Sequence, residues 1–483
     1  MSEERTHLSS TTSLCPTCLE RVPGTYEARD DAVFLRRSCP DHGTTSRKVW
    51  ESLDHWRWAR QFGPETDVAD DGGSDTGDPT SDTGCCSGGT CSSGGGLRVD
   101  GDHACLAVVE ITQDCNLSCS YCFASSGPGG KQLPFDEVVD LLDTVRAEGG
   151  TRPIQFSGGE PTVHDDLPEL VERAREMGFE HVEVNTNGIE LATQQGYAER
   201  LADAGVTAIY LQFDGVTRDT YETIRAVDLL EIKHEAIEAC RDTGLPVILV
   251  PTVVPGTNDD EMGDVVRFAL DNLDVVQSIN FQPVAHFGRY AENEGRFSLD
   301  EAARRVADQL DGLEPQDFLP VPCCSSYCQM STALVPNGEE GVVPLTGLLD
   351  LDNWDTLSGL IDEADWMELL AGTAAGRDTV EVASTCCGFE VPSAGPVLPV
   401  TLTGFMDADA ADVDRLDNCC ISVPTPDGDL VPFCAYNMTT EDGRYALRNR
   451  HGWGGRDKVE SDGSRATAPV SEGEPATTGS EDD

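Results

Sequence analysis

Six apolar segments lie between residues 104 and 290: CLAVVEIT, PIQFSG, HVEVNTN, AIYLQFDG, PVILVPTVV and SINFQPV. Stretches of helical periodicity such as FDEVVDLLDTVRAEG and MGDVVRFALDNL separate them. Regular alternation of strand and helix leaves few folds open, because each parallel pair needs a crossover and crossovers take the right-handed form. The expected fold class is therefore α/β, a partial (β/α)6 TIM-like barrel over residues 103–290. Functional groups of such a barrel gather at the C-terminal ends of its strands. The polar motifs fall there: QDCNLSCSYC after the first strand, SGGEP after the second, NTNG after the third and QFDG after the fourth. One shared cavity is expected.

Cys115, Cys119 and Cys122 share one tight loop. Thiolates at this spacing hold three corners of a [4Fe–4S] cube and leave the fourth iron without a protein ligand. An open iron implies chemistry as well as electron storage. A zinc knuckle, or a ferredoxin-like cluster with its fourth cysteine elsewhere, has the same local pattern. The next strand end argues against both: Gly158, Gly159, Glu160 and Pro161 close the second strand, where glycines let backbone approach a ligand closely. Asn185 and Asp214, at the third and fourth strand ends, offer an amide and a carboxylate to a ligand; as plain residues of a βα turn they would need no ligand.

With Tyr121 directly before its last cysteine, the loop resembles the signature of the radical S-adenosylmethionine (SAM) superfamily. The resemblance implies a [4Fe–4S] cluster whose open iron binds SAM and whose electron cleaves it to a 5′-deoxyadenosyl radical. It also implies that Gly158, Gly159 and Glu160 meet the amino group of SAM. Asn185 and Asp214 would serve its ribose or carboxylate, and Tyr121 would pack on adenine from an exposed loop.

Against 33 Lys and Arg stand 87 Asp and Glu, a formal charge of −54. Nucleic acid is excluded as a partner, since phosphate binding needs basic patches. Acidic residues spread along the chain resemble the proteome style of extreme halophiles, in which molar salt cuts the Debye length to ~3 Å and self-repulsion with it. No secretory signal is visible at MSEERTHLSS, and no apolar run approaches the ~20 residues of a membrane span. A cytoplasmic protein with at most peripheral membrane contact is expected. There, 19 cysteines are metal ligands rather than disulfides.

At 483 residues the chain divides into a metal-binding unit (1–62), an acidic Gly/Ser-rich linker (63–102), the core (103–290), a cysteine-rich extension (291–455) and an acidic tail (456–483). Cys15 and Cys18 form a CPxC knuckle that Cys39 and His42 complete as a tetrahedral site for rubredoxin-like iron or structural zinc. Linker and tail lack the apolar surface to order themselves. Cys240 reads as an ordinary buried thiol on a helix. Cys85, Cys86, Cys91, Cys105, Cys323, Cys328, Cys419, Cys420 and Cys434 are the candidates for auxiliary clusters.

The runs CPTCLERVPGTYEARDDAVFLRRSCPDHG, NFQPVAHFGR, PCCSSYCQM and CCISVPTPDGDLVPFCAYN, in this order, resemble one archaeal branch of the superfamily. It includes tetraether lipid synthases and proteins named 7,8-dihydro-6-hydroxymethylpterin methyltransferases. The resemblance implies auxiliary [4Fe–4S] clusters, a mononuclear iron, an electron donor such as ferredoxin, and a lipid or small-molecule substrate. The leading expectation is carbon–carbon coupling or another modification of an archaeal isoprenoid lipid. Methylation of a pterin, a non-catalytic iron–sulfur electron carrier and peptide maturation are the alternatives. Where relatives carry a compact cysteine motif before the first core strand, this chain has CCSGGTCSSGGG.

Overall fold

A computed structural model describes residues 5–62, 105–290, 295–321, 325–337, 341–348, 379–382, 389–392 and 397–448. The expected linker and tail, with Cys85, Cys86, Cys91 and Cys323, lie outside the described residues.

Four antiparallel strands, β1 (Thr6–Leu14), β2 (Arg21–Arg29), β3 (Ala32–Cys39) and β4 (Gly43–Trp50), form an N-terminal sheet in sequential order. Helix α1 (Leu53–Arg60) follows, and the Ser52 side chain caps its start by accepting from the His55 N–H. This unit docks firmly on the rest. Tyr26 donates to Asp412 at 2.6 Å, Arg37 donates to the Ala408 carbonyl at 2.5 Å, and Asp300 accepts from the Glu51 and Ser52 N–H groups at 2.9 and 2.8 Å. The Trp56 ring stacks on Tyr327, centroids 5.4 Å apart.

The six expected core strands form with their order intact: β5 (Leu106–Thr112), β6 (Ile154–Gly158), β7 (Val182–Thr186), β8 (Ala208–Gln212), β9 (Val247–Val250) and β11 (Val276–Pro283), each parallel to the next. A two-residue strand, β10 (Thr252–Val253), pairs with the end of β11. Phe156, Val184, Ile209, Leu211, Leu249, Ile279 and Phe281, at alternate positions, join the main apolar core. The crossover helices meet it with one face: α2 (Phe135–Gly149) buries Val138, Leu141, Leu142 and Val145 at helical spacing. Further crossovers run through α3 (Leu167–Glu176), α4 (Ile189–Thr193), α5 (Tyr197–Ala204), α6 (Arg218–Arg225), α7 (Leu230–Thr243) and α8 (Met262–Asp271).

The cysteine-rich extension is less separate than the sequence suggests. Its strand Leu398–Thr403 lies parallel beside β11, and its strand Ile421–Pro424 lies parallel beside β5. Both edges of the core sheet are thereby covered, which satisfies backbone groups that an open half-barrel leaves exposed. Short runs such as LPVTLT and ISVP carry no crossover helix that would announce them. Among the described residues no helix is long and apolar enough to cross a membrane.

Candidate functional site

The loop after β5 is fastened on every side. Asp114 accepts from the Cys115 N–H at 3.0 Å and the Gly129 N–H at 2.7 Å. Arg289 donates to the Cys119 carbonyl at 2.5 Å, while Cys122 and Arg289 exchange two backbone bonds. Tyr445 donates to the Phe123 carbonyl at 2.5 Å. Cys115 and Cys119 are buried and Cys122 partly so.

Burial pushes the Cys115 thiol well up, and Glu160, Cys119 and Cys122 add to the effect. Burial also raises Cys119, against the pull of Arg225. The three cysteines pack in one cluster, and burial favours the neutral thiols of Cys115 and Cys119 until cationic metal replaces their protons. Three such thiols on one fixed loop fit a cube with one iron lacking a protein ligand. A single tetrahedral ion demands closer ligands, and among the described residues only Cys15, Cys18, Cys39 and His42 meet that demand, their ligand atoms all within 4.8 Å of one another. His42 Nδ1 lies 3.4 Å from the Cys39 sulfur and 3.7 Å from that of Cys15. The expected N-terminal tetrad is therefore assembled.

Gly158 and Gly159 are required by the cysteine loop itself. A Cβ at either would collide with the carbonyl oxygens of Thr112 and Asp114, and Gly158 has φ +132°. The Gly159 and Glu160 N–H groups donate to those same carbonyls at 2.7 and 2.9 Å. The close approach inferred from sequence is thus made first to the loop backbone. Glu160 is buried and accepts four bonds: from the Thr162 N–H and hydroxyl (3.1 and 2.6 Å), the Thr186 hydroxyl (2.7 Å) and the Asn187 N–H (2.7 Å). It clamps the end of β6 to the NTNG turn after β7. Pro161 starts the short helical turn beyond it.

Asn185 donates to Ser157 on the neighbouring strand at 3.3 Å. Both oxygens of Asp214 are engaged by Arg225, at 2.7 and 2.6 Å, so this carboxylate positions an arginine. Tyr121, expected on an exposed loop, is buried with Ile224, Val254 and Val284. The loop folds inward because Ile224 accepts from the Ser120 N–H and Arg225 donates to the Tyr121 carbonyl.

Two cations are not evident from the sequence. Arg225 ends α6 beside Cys119, and Lys233 on α7 is fully buried with its ammonium on the Asn187 carbonyl at 2.5 Å. Burial lowers Lys233 to about 8 although Asp214 pulls the other way. One signal exists: Lys233 shares a face with the buried Ala236, Ile237 and Cys240. A lysine on an apolar helix face asks for a partner.

The auxiliary candidates divide. Cys105, Cys328 and Cys420 gather with Val321 and Ile421, the Cys105 N–H donating to the Cys420 carbonyl at 2.6 Å and Arg415 donating to the Cys328 sulfur at 3.1 Å. Cys419 neighbours this group, its sulfur on the Ile421 carbonyl at 3.3 Å. Cys434 packs in the main core, its sulfur accepting from the Met406 N–H at 3.3 Å. Cys240 is wholly buried on α7, as expected.

A small cleft opens where the N-terminal unit meets the barrel, walled by Trp50, Trp56, Tyr327, Phe297, Phe405 and Arg415 among others. It reaches Val284, which packs in the same cluster as Tyr121.

Residues 109–269 match the radical SAM superfamily model, and residues 7–51 match the HMPTM N-terminal zinc ribbon domain. The 7,8-dihydro-6-hydroxymethylpterin dimethyltransferase of Methanocaldococcus jannaschii is 32% identical over 88% of this chain and 93% of its own length. A probable GTP 3′,8-cyclase of Methanothermobacter thermautotrophicus is 32% identical over 44% of this chain and 68% of its own length.

Proposed function

The chain belongs to the radical SAM superfamily, and from that premise we propose that it methylates a reduced pterin of the 7,8-dihydro-6-hydroxymethylpterin type. The similarity to the pterin dimethyltransferase, running through nearly the whole of both chains, carries this reading. When bound, the cluster and SAM supply the one-electron cleavage that gives methionine and a 5′-deoxyadenosyl radical. The chain's own part is to fix the cysteine loop, through Asp114, Arg289, Gly158 and Gly159, and to surround it with buried charge from Arg225, Lys233 and Glu160. Tyr121 would pack against adenine, and Asn185 would contact the ribose. Pterin and the guanine of GTP share a 2-amino-4-oxopyrimidine ring, so both relatives' names point to one kind of ring edge.

Auxiliary clusters at Cys105, Cys328, Cys419 and Cys420, with a ferredoxin-like donor in a saline cytoplasm, complete the reading. The dominance of Asp and Glu supports the last part. A second reading, modification of an isoprenoid lipid, is supported by the aromatic side chains Trp50, Trp56, Tyr327, Phe297 and Phe405 that line the small cleft reaching Val284.

Two measurements decide. Anaerobically reconstituted protein given SAM, a strong reductant and 7,8-dihydro-6-hydroxymethylpterin should yield methylated pterin by mass spectrometry. A deletion strain should lose methylated pterins and keep its lipids; altered lipids with unchanged pterins would replace the first reading by the second.

A further inference from the structure

Barrel interiors are ordinarily filled by branched apolar side chains. Here the face of the sheet opposite the helices carries a band of polar side chains beside the apolar Ala208, Ile248 and Val250. Alternating with Phe156, Val184, Ile209 and Ile279 of the main core, Gln155 (β6), Glu183 (β7), Tyr210 (β8) and Asn280 (β11) occupy it, with Thr403 from the adjoining strand. Gln155 donates to Glu183 Oε2 at 2.9 Å. Asn280 and Gln282 donate to the Tyr210 oxygen at 2.5 and 2.8 Å, and Thr403 donates to Asn280 at 2.9 Å. Glu183 lies close enough to Tyr210 for its charge to raise the phenol.

Each of these groups loses hydration on burial, a cost that only partners return. For Glu183, 1% exposed, the return is incomplete: Gln155 serves Oε2, but no protein group donates to Oε1. Ser278 Oγ, on the same face of β11, is also buried without a partner. Tyr210 accepts twice, and neither bond uses its own proton. The register sets Ala208 opposite Glu183, so no large side chain stands beside the carboxylate on β8. The face therefore presents an open acceptor, a carboxylate oxygen, next to an open donor, a phenol O–H.

We propose that Glu183 and Tyr210 form the reading head for a 2-amino-4-oxopyrimidine ring, an inference that rests on the pterin reading above. The carboxylate accepts from the ring N3–H and 2-amino group, through Oε1 and the second lone pair of Oε2, and the phenol donates to the 4-oxo oxygen. Gln155 fixes the carboxylate, while Asn280 and Gln282 fix the phenol with its proton free. An apolar chain would leave these groups desolvated and unpaired, so the face also rejects lipid.

The test uses full-length reconstituted protein and anaerobic titration calorimetry with three probes: 6-hydroxymethyl-7,8-dihydropterin, the corresponding lumazine in which a 2-oxo group replaces the 2-amino group, and GTP. Wild type should prefer pterin to lumazine at least tenfold, and Glu183→Gln should bind pterin at least tenfold more weakly and lose the preference. Tyr210→Phe should weaken both pteridines alike. Thermal unfolding of both variants shows that the fold is kept. Undiminished pterin binding and preference in Glu183→Gln would overturn the inference and leave the pterin reading standing. Binding of GTP but not pterin by wild type, lost in Glu183→Gln, would sink the pterin reading and keep the inference. Failure of wild type to bind either ring would end both.

Discussion

Arg225 grips Asp214 with two bonds, Nε to Oδ2 at 2.7 Å and Nη2 to Oδ1 at 2.6 Å, in a place sealed from solvent on both sides. The same guanidinium donates to the Tyr121 carbonyl at 3.2 Å and faces Cys119. One planar fork thereby joins the end of β8 to the cysteine loop.

Removal of one partner from a buried pair leaves the other charge uncompensated, which costs about 3–5 kcal/mol. Arg225→Met should accordingly lower the urea midpoint sharply and reduce iron bound per chain after reconstitution. Arg225→Lys keeps the charge without the fork and should fall between. Wild-type stability and iron content in Arg225→Met would refute this role.

Glu160 faces donors on both oxygens. Glu160→Gln turns an NH₂ toward at least one of them, and hydrogen bonds to a charged group contribute about 1.5–3 kcal/mol each. The NTNG turn should loosen, with SAM affinity down at least tenfold by equilibrium dialysis while the cluster still loads. Unchanged affinity would show that the clamp has no part in SAM binding.

The six strands are readable because each carries a continuous apolar run closed by a turn motif, and the metal tetrad because CPxC fixes two ligands in one knuckle. The pairing of Asp214 is hidden in the sequence for a physical reason: a carboxylate at a strand end looks available until the arginine eleven residues later is folded onto it. Arg225 and Lys233 sit on helices whose periodicity reports burial but not what is buried opposite. Cys105 and Cys420 are brought together by β5 and the strand Ile421–Pro424 beside it, and Cys328 joins them from the start of the strand Gln329–Asn337, which pairs with Leu398–Thr403 at the opposite edge, contacts of long sequence separation that no local pattern records.

The N-terminal metal should hold the aromatic junction. Trp50 and Trp56 contact Tyr327 across it, with centroids 5.4 Å away in each case. Chelation at neutral pH, or Cys18→Ser, should release metal, lower the first thermal transition and shift tryptophan emission to the red. If stripped protein keeps a blue emission maximum and its melting temperature, the site is incidental to docking.

Glu183 carries a pH signature with a definite sign. Burial raises it from 4.5 to about 7, with the Gln155 bond opposing. Below pH 4.5 the carboxyl is protonated both folded and unfolded. Between there and 7 the unfolded chain releases its proton first, so this residue makes stability fall as pH rises, by about 3 kcal/mol across the window. Glu183→Gln removes that penalty: it should be roughly neutral at pH 5 and stabilising at pH 8, by urea unfolding of both proteins at each pH. An equal effect at both values would mean that the carboxylate is already ionised at pH 5, hence better hydrated than its burial implies. A gain confined to high pH would identify a charge that the resting fold bears at a cost, as expected of a group kept for what it binds.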